Sequence, residues 1–318
     1  MKITELLAQA TSPQISYEII PPKRGGSIRD IMDTVQELVE FEPAYIDVTS
    51  HSAQVYYDEL PDGTWRRHVR RKRPGTLGTC AAIKGRYGIE TIPHLLCKGF
   101  TKEESEDALI ELNYLGIQNV MALRGDDSGF MKPIRDDQSV NSYAIDLVRQ
   151  ISDMNKGRYL EELMDASSAD FCVGVAGYPE RHFESPNMKR DIQFLKEKVD
   201  AGAHYVTTQM FFDNEHFFDF VKLCREAGIT VPIIPGLKIL TSKRQLHTLP
   251  SRFFVQIPED LATEVEEADD EQVADIGVEW AIRQCEELLS AGLHNLHFYI
   301  LLKPNIVRRV VGQLRKMA

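Results

Sequence analysis

The stretch KVDAGAHYVTTQ (198–209) decides the fold. It runs from the end of an amphipathic helix, through Gly202, into an apolar run rich in β-branched and aromatic residues. Glycine just past a helix takes the left-handed conformation that stops it, at no Cβ cost, and the run that follows suits a strand. The same plan recurs in LNYLGIQNVMAL (112–123), CREAGITVPIIP (224–235) and LLSAGLHNLHFY (288–299). The repeating unit is therefore strand, helix, glycine, strand.

Working outward from these exits, eight strands are expected, at 15–20, 45–50, 91–97, 119–125, 171–178, 204–212, 231–237 and 295–302. Helical spacing fills the gaps. One helix starts at Ser27, which with Asp30 resembles a capping box, and another at Thr101, with Glu104 three residues on. Strands that alternate with helices form a parallel sheet, and this number of units over this length predicts a closed (β/α)8 TIM barrel. An open doubly wound sheet is disfavoured, because no G-x-G-x-x-G or Walker loop follows any strand. No linker divides the chain, so residues 1–318 are expected to form a single barrel domain. Segments 51–75 and 153–169 are its apparent insertions.

The 318 residues carry 37 basic and 48 acidic side chains, a formal charge of −11. That balance argues against a nucleic-acid binder, which needs a basic surface. No run is apolar enough to span a membrane, and the N-terminus lacks the apolar core of a signal peptide. Five scattered cysteines, with no zinc-type spacing, fit reduced thiols in a cytoplasmic protein.

A barrel of this kind presents its chemistry at the C-terminal ends of its strands. Glu18 sits inside an apolar strand, where desolvation would raise its pKa and suit a general acid; the plainer reading is an ion pair. Asp47, Thr49 and His51 end the second strand. His94 lies in the third, and a lone strand histidine is commonly a satisfied core residue. Arg124, Gly125, Asp126 and Asp127 end the fourth, combining a phosphate-matching fork with carboxylates, or forming a turn held by an Arg–Asp pair. Gln209, in the sixth, has the donor and acceptor that match a heterocycle edge, or it fills the barrel's inner layer. Phe211 and Phe212 read as core, and Cys97 and Cys172 as small buried residues. The run from Arg66 to Arg73 reads as a solvated loop on the same face, with steering of an anionic substrate as its sharper meaning. The acidic stretch 259–271 is its alternative partner.

Taken in order, these motifs resemble methylenetetrahydrofolate reductase. The matching pieces are YEIIPPK (17–23), DVTSHSA (47–53), PHLLC (93–97), MALRGD (121–126), GYPERH (177–182), KEKVDAGA (196–203), TTQMFFD (207–213), IIPGL (233–237) and HFY (297–299). The resemblance implies a barrel that binds FAD and reduces 5,10-methylenetetrahydrofolate to 5-methyltetrahydrofolate. NADH or NADPH gives a hydride to the flavin and leaves, and the folate then takes it. It implies Glu18 as general acid and Asp126 as the carboxylate beside flavin and pterin. Thr49, His94, Arg124, Gly125, Asp126, Ala144, Tyr178, His182, Asp191 and Lys198 are implied flavin contacts. Gln209, Gln245 and Lys303 are implied folate contacts, and a homo-oligomer is expected. Lys303 stands where many members carry arginine, and Leu249 where some bacterial members carry a phenylalanine that stacks on the dinucleotide. The chain stops shortly after the eighth strand, so the resemblance implies a bacterial-type catalytic domain, without the regulatory domain of eukaryotic members or inhibition by S-adenosylmethionine. Two alternatives are a flavoprotein reduced by a partner protein and a non-catalytic folate-binding barrel. The basic run is a candidate for attracting a polyglutamate tail.

Overall fold

A computed structural model describes residues 1–10, 12–70, 73, 75–126, 132–301 and 303–317. Asp127, Arg71, Lys72 and Leu302, named above within strand ends or the basic run, lie outside the described residues.

The eight expected strands form a closed parallel barrel. They are β1 (Gln14–Ile19), β2 (Ile46–Val48), β5 (Thr91–Leu96), β6 (Asn119–Leu123), β7 (Cys172–Gly177), β8 (Tyr205–Met210), β9 (Ile233–Leu237) and β10 (Asn295–Leu301). Neighbours run in sequence order from β2 and β5 round to β10, and β1 closes the ring by pairing both β10 and β2. The strands are shorter than their apolar runs, since residues such as Phe211 and Phe212 leave the ladder yet remain buried.

Helices α2 (Ile28–Val39), α3 (Leu77–Tyr87), α4 (Lys102–Tyr114), α5 (Ala144–Met154), α6 (Met188–Asp200), α7 (Asn214–Glu226), α10 (Val273–Ser290) and α11 (Pro304–Met317) surround it. Their apolar stripes meet the outer faces of the strands in one large core. The expected capping box forms at α4, where Thr101 Oγ1 accepts from Glu104 N and Glu104 Oε2 accepts from Thr101 N. It does not form at α2, because Ser27 Oγ accepts from Arg29 N instead. Helices α8 (Gln245–Phe253) and α9 (Glu259–Glu267) follow β9 and bury a second, smaller cluster with Leu249 in it.

The barrel's interior is packed at its N-terminal end. Tyr45, Ile92, Met121, Cys172, Tyr205 and Ile234 pack together there. Helix α1 (Ile3–Gln9) joins them through Ile3, whose amide donates to Asn119 Oδ1. Gly174 is required by this layer, since a Cβ there would lie 2.3 Å from the Tyr205 ring. All five cysteines are unpaired and buried.

The segment after β2 departs from expectation. The basic run is not a plain loop: Trp65–Arg70 is strand β4, paired antiparallel with β3 (Gln54–Glu59) in a separate hairpin. Its turn is Pro61-Asp62-Gly63, with Gly63 at φ +78° and Asp62 Oδ1 accepting from Thr64 N. Ladder hydrogen bonds draw these charged residues into a strand, while their side chains stay largely exposed. No ion pair among the described residues joins this run to the 259–271 stretch; His68 pairs with Asp58 across the hairpin.

Candidate active site

Glu18 and Asp47 are register partners on β1 and β2, so both carboxyls enter the barrel at one level. His94 on β5 reaches between them. Its Nε2 lies 3.2 Å from Asp47 Oδ2 and 3.7 Å from Glu18 Oε2. Asp47 is 1% exposed and the Glu18 side chain 16%, so Glu18 is the member that faces the opening. Burial pushes the Glu18 carboxyl up to about 7; the Asp47 charge adds to that, and His94 and Lys238 oppose it. Burial pulls His94 down, but its hydrogen bond to Asp47 and the two carboxyl charges outweigh that and raise it. A carboxylic acid that keeps its proton near neutrality is what general-acid chemistry needs. The cluster is three titratable side chains from three strands, with the imidazole between two carboxyls.

Beside Glu18 the β1–β10 register slips: Glu18 faces Tyr299 and Ile19 faces Leu301, leaving Ile300 as the extra residue. Leu301 takes φ +60°. A second slip lies between Thr207 and Met210 of β8, next to Gln209. Such bulges re-aim side chains, and they occur often beside active sites. Gln209 Oε1 accepts from Met210 N. Lys238, just past β9, donates to the Tyr299 carbonyl at 2.7 Å, while Tyr299 donates its hydroxyl to the Thr208 carbonyl. Burial lowers Lys238 to about 8, with Glu18 opposing and Lys303 assisting.

Farther round the mouth, from β6 to α6, a different set converges. Asp191, in the first turns of α6, accepts from His182 N at 2.9 Å and from Ser185 Oγ at 2.7 Å. Those bonds pin the loop that follows β7, in which the Tyr178 and His182 rings meet edge to face at 4.6 Å. Lys198, half-buried and lowered by desolvation to about 8, donates to the Ala176 carbonyl. Burial raises the Tyr178 phenol to about 12. Arg124 pairs with Glu184 at 2.6 Å. Gly125 takes φ +87° against Leu96 and turns the chain so that Asp126 is exposed, within electrostatic reach of His51 and Tyr178.

Thr49 Oγ1 and His51 Nδ1 are buried without a hydrogen-bond partner among the described residues. A cavity of about 230 Å³ opens beside them, lined among others by Ser50, His51, Thr76, His94 and Phe100. Ala144 opens α5, so it sits at a helix N-terminus. Two implied folate contacts come from segments that follow β9 and β10. Gln245 Oε1 is held by the amides of Thr241 and Ser242, and Lys303 is exposed just before α11. Leu249 is 6% exposed within the smaller core. Lys238 was missed as a site residue, and Asp47 was noted only as a strand end. Each is a single charge in an apolar run, the same signal that marked Glu18. Among the described residues no cluster suits a metal ion, and no helix is long and apolar enough to cross a membrane.

The sequence profile of the family described as methylenetetrahydrofolate reductase matches residues 2–315. Methylenetetrahydrofolate reductase 2 of Saccharomyces cerevisiae is 32% identical over 314 residues, covering 95% of this chain and 47% of the yeast protein. The chain thus spans about half the length of that relative, and similarly of its plant and animal counterparts. The 5,10-methylenetetrahydrofolate reductase of Escherichia coli is 30% identical over 290 residues, covering 90% of this chain and 86% of that protein. Among solved structures, a Clostridium thermocellum protein that binds two copies of 5-methyl-5,6,7,8-tetrahydrofolic acid superposes with a TM-score of 0.59 at 15% identity, covering 98% of this chain and 97% of that one. That likeness speaks for the barrel fold.

Proposed function

The chain belongs to the methylenetetrahydrofolate reductase family, and from that premise we propose that it is an FAD-dependent reductase of 5,10-methylenetetrahydrofolate, with NADH or NADPH as hydride source. The observation that carries this reading is Glu18: a carboxyl held protonated near neutrality, at the C-terminal end of a barrel strand and facing the mouth.

The side chains suit a flavin dinucleotide. Thr49 Oγ1 is a buried hydroxyl with no hydrogen-bond partner among the described residues. Lys198 and Arg124 offer cations for a diphosphate, and Tyr178 and His182 offer ring edges fixed through Asp191. Gly125, Asp126, His94 and Ala144 complete the proposed contacts. Bound flavin supplies the two-electron relay between the nicotinamide and the folate. The protein's own work is to place and protonate. Glu18 donates its proton as the folate's five-membered ring opens to the iminium. Asp126, exposed and anionic, stabilises that cation. Gln209 orients the pterin through the amide nitrogen left free by its contact to Met210, with Gln245 and Lys303 as further contacts. The basic residues of β4, Arg66 and Arg70 on one face and Arg67 on the other, would draw a polyglutamate tail. The proposal includes one catalytic barrel of bacterial type over 1–318, a cytoplasmic location and a homo-oligomeric state.

Anaerobic visible spectra of the purified protein test it. Bleaching of an oxidised flavin by NADH or NADPH, and its return on adding methylenetetrahydrofolate, is the expected result. A flavin that neither nucleotide reduces would point to a protein electron donor; buried Leu249, which offers no ring to the dinucleotide, favours that second reading. A protein that takes up no flavin would overturn both.

A further inference from the structure

His94 faces two carboxyls with one ring nitrogen. A carboxylate cannot donate, so the 3.2 Å contact to Asp47 Oδ2 requires the hydrogen on Nε2. At 3.7 Å, Glu18 Oε2 is beyond hydrogen-bond length. His94 is also the one hydrogen-bond partner of Asp47 among the described residues, since Asp47 Oδ1 has none. The imidazole is thus committed to the deeper carboxylate, and the acid at the mouth is left without its donor.

Resting on the reading of Glu18 as general acid, we propose that Asp47 is a positioning residue: it engages the Nε2 hydrogen of His94 and so leaves Glu18 in possession of its own proton. The charge arithmetic supports this. At Glu18 the effect of Asp47 raises the carboxyl and that of His94 lowers it, so the two paired side chains offset one another and burial decides. Without Asp47, the imidazolium has Glu18 as its nearest counter-charge, and the proton of the acid is lost to an ion pair at the mouth. The other charged or titratable groups facing Glu18 are Lys238 beyond β9 and Tyr299 on β10. Those facing His94 are His51 beyond β2 and His297 on β10, and burial keeps His297 neutral with a pKa of about 4.

The test is the infrared carbonyl band of the protonated Glu18 carboxyl, read on the purified chain with its flavin bound. Glu18→Gln identifies the band. At about pH 6, Asp47→Asn should abolish it, and adding His94→Gln to that variant should restore it. Each unit of downward shift cuts the protonated fraction about tenfold above the new midpoint. The folate half-reaction of Asp47→Asn should therefore lose rate about fiftyfold or more near neutrality, with its pH profile displaced toward acid. Flavin reduction by nicotinamide should change less than about twofold, since that step uses no general acid. Asp47→Ser carries the same expectation should the Asn variant not fold. A band that survives Asp47→Asn, or one that His94→Gln fails to restore, overturns the proposal. If instead Glu18→Gln leaves the folate step unchanged, the functional reading fails while the coupling of the three side chains still stands on the band.

Discussion

The two sides of the barrel mouth treat their charges in opposite ways. On the β1–β2–β5 side, Glu18, Asp47 and His94 face one another with fewer hydrogen bonds than they could use, two carboxyls sharing one imidazole. On the β6–β7–α6 side, Asp191 has two donors, Lys198 has a carbonyl and Arg124 has Glu184. Under-satisfied buried charge makes proton chemistry, whereas satisfied charge makes a rigid wall. The first side is built to change state and the second to hold something still.

The sharpest way to break this contrast is Glu18→Gln. A positioned general acid contributes about 10²–10⁴ in rate, so the folate half-reaction should fall by that much while nicotinamide-driven flavin reduction stays near wild type in stopped flow. The same substitution should raise stability above neutrality. The folded carboxyl holds its proton up to about 7, against 4.5 when unperturbed. Between those values the native state binds more protons, so stability falls as pH rises and is lost in full above the folded value. The shift of 7 − 4.5 = 2.5 units corresponds to about 3 kcal/mol. Thermal melts should therefore show the variant's advantage absent near about pH 4 and greatest near about pH 8.

On the other wall the expected losses are in binding. Lys198→Met removes a half-buried ammonium, and a hydrogen bond to a charged group is worth about 1.5–3 kcal/mol. FAD affinity, read by flavin fluorescence, should weaken about 10–100-fold with the folate step of the loaded protein little changed. A loss confined to the folate step would erase the distinction between the walls. The smallest effect is expected from Glu184→Ala. Its pair with Arg124 is partly exposed, the Glu184 side chain being 45% accessible. Such pairs contribute about 0–1 kcal/mol, so freeing Arg124 should tighten FAD by no more than about fivefold.

Much of this was legible in the sequence, for local reasons. The glycine exits, the α4 capping box and the order of strands each depend on residues within a few positions of one another. The hairpin β3–β4 was missed because charge dominates QVYYDE and WRRHVR; the Asp62-Gly63 turn between them was the available signal. Glu18 was legible as a charge inside an apolar strand. Lys238 carried the same signal and went unread. Gln245 was legible only through the family motif, and the fold turns its carbonyl to its own loop.

By itself, the sequence determined the alternation of strand and helix, the closed parallel barrel and the end of it on which chemistry collects, because periodicity and helix termination are short-range properties. Only the tertiary structure decided which charges meet. Glu18, Asp47 and His94 come from three strands whose register pairs Glu18 with Asp47 and Asp47 with Ile92, two residues before His94 on the same strand. Whether His94 reaches Asp47 or Glu18 turns on half an ångström, between 3.2 and 3.7 Å. A difference of that size is fixed by how the strands stagger and bulge when the ring closes.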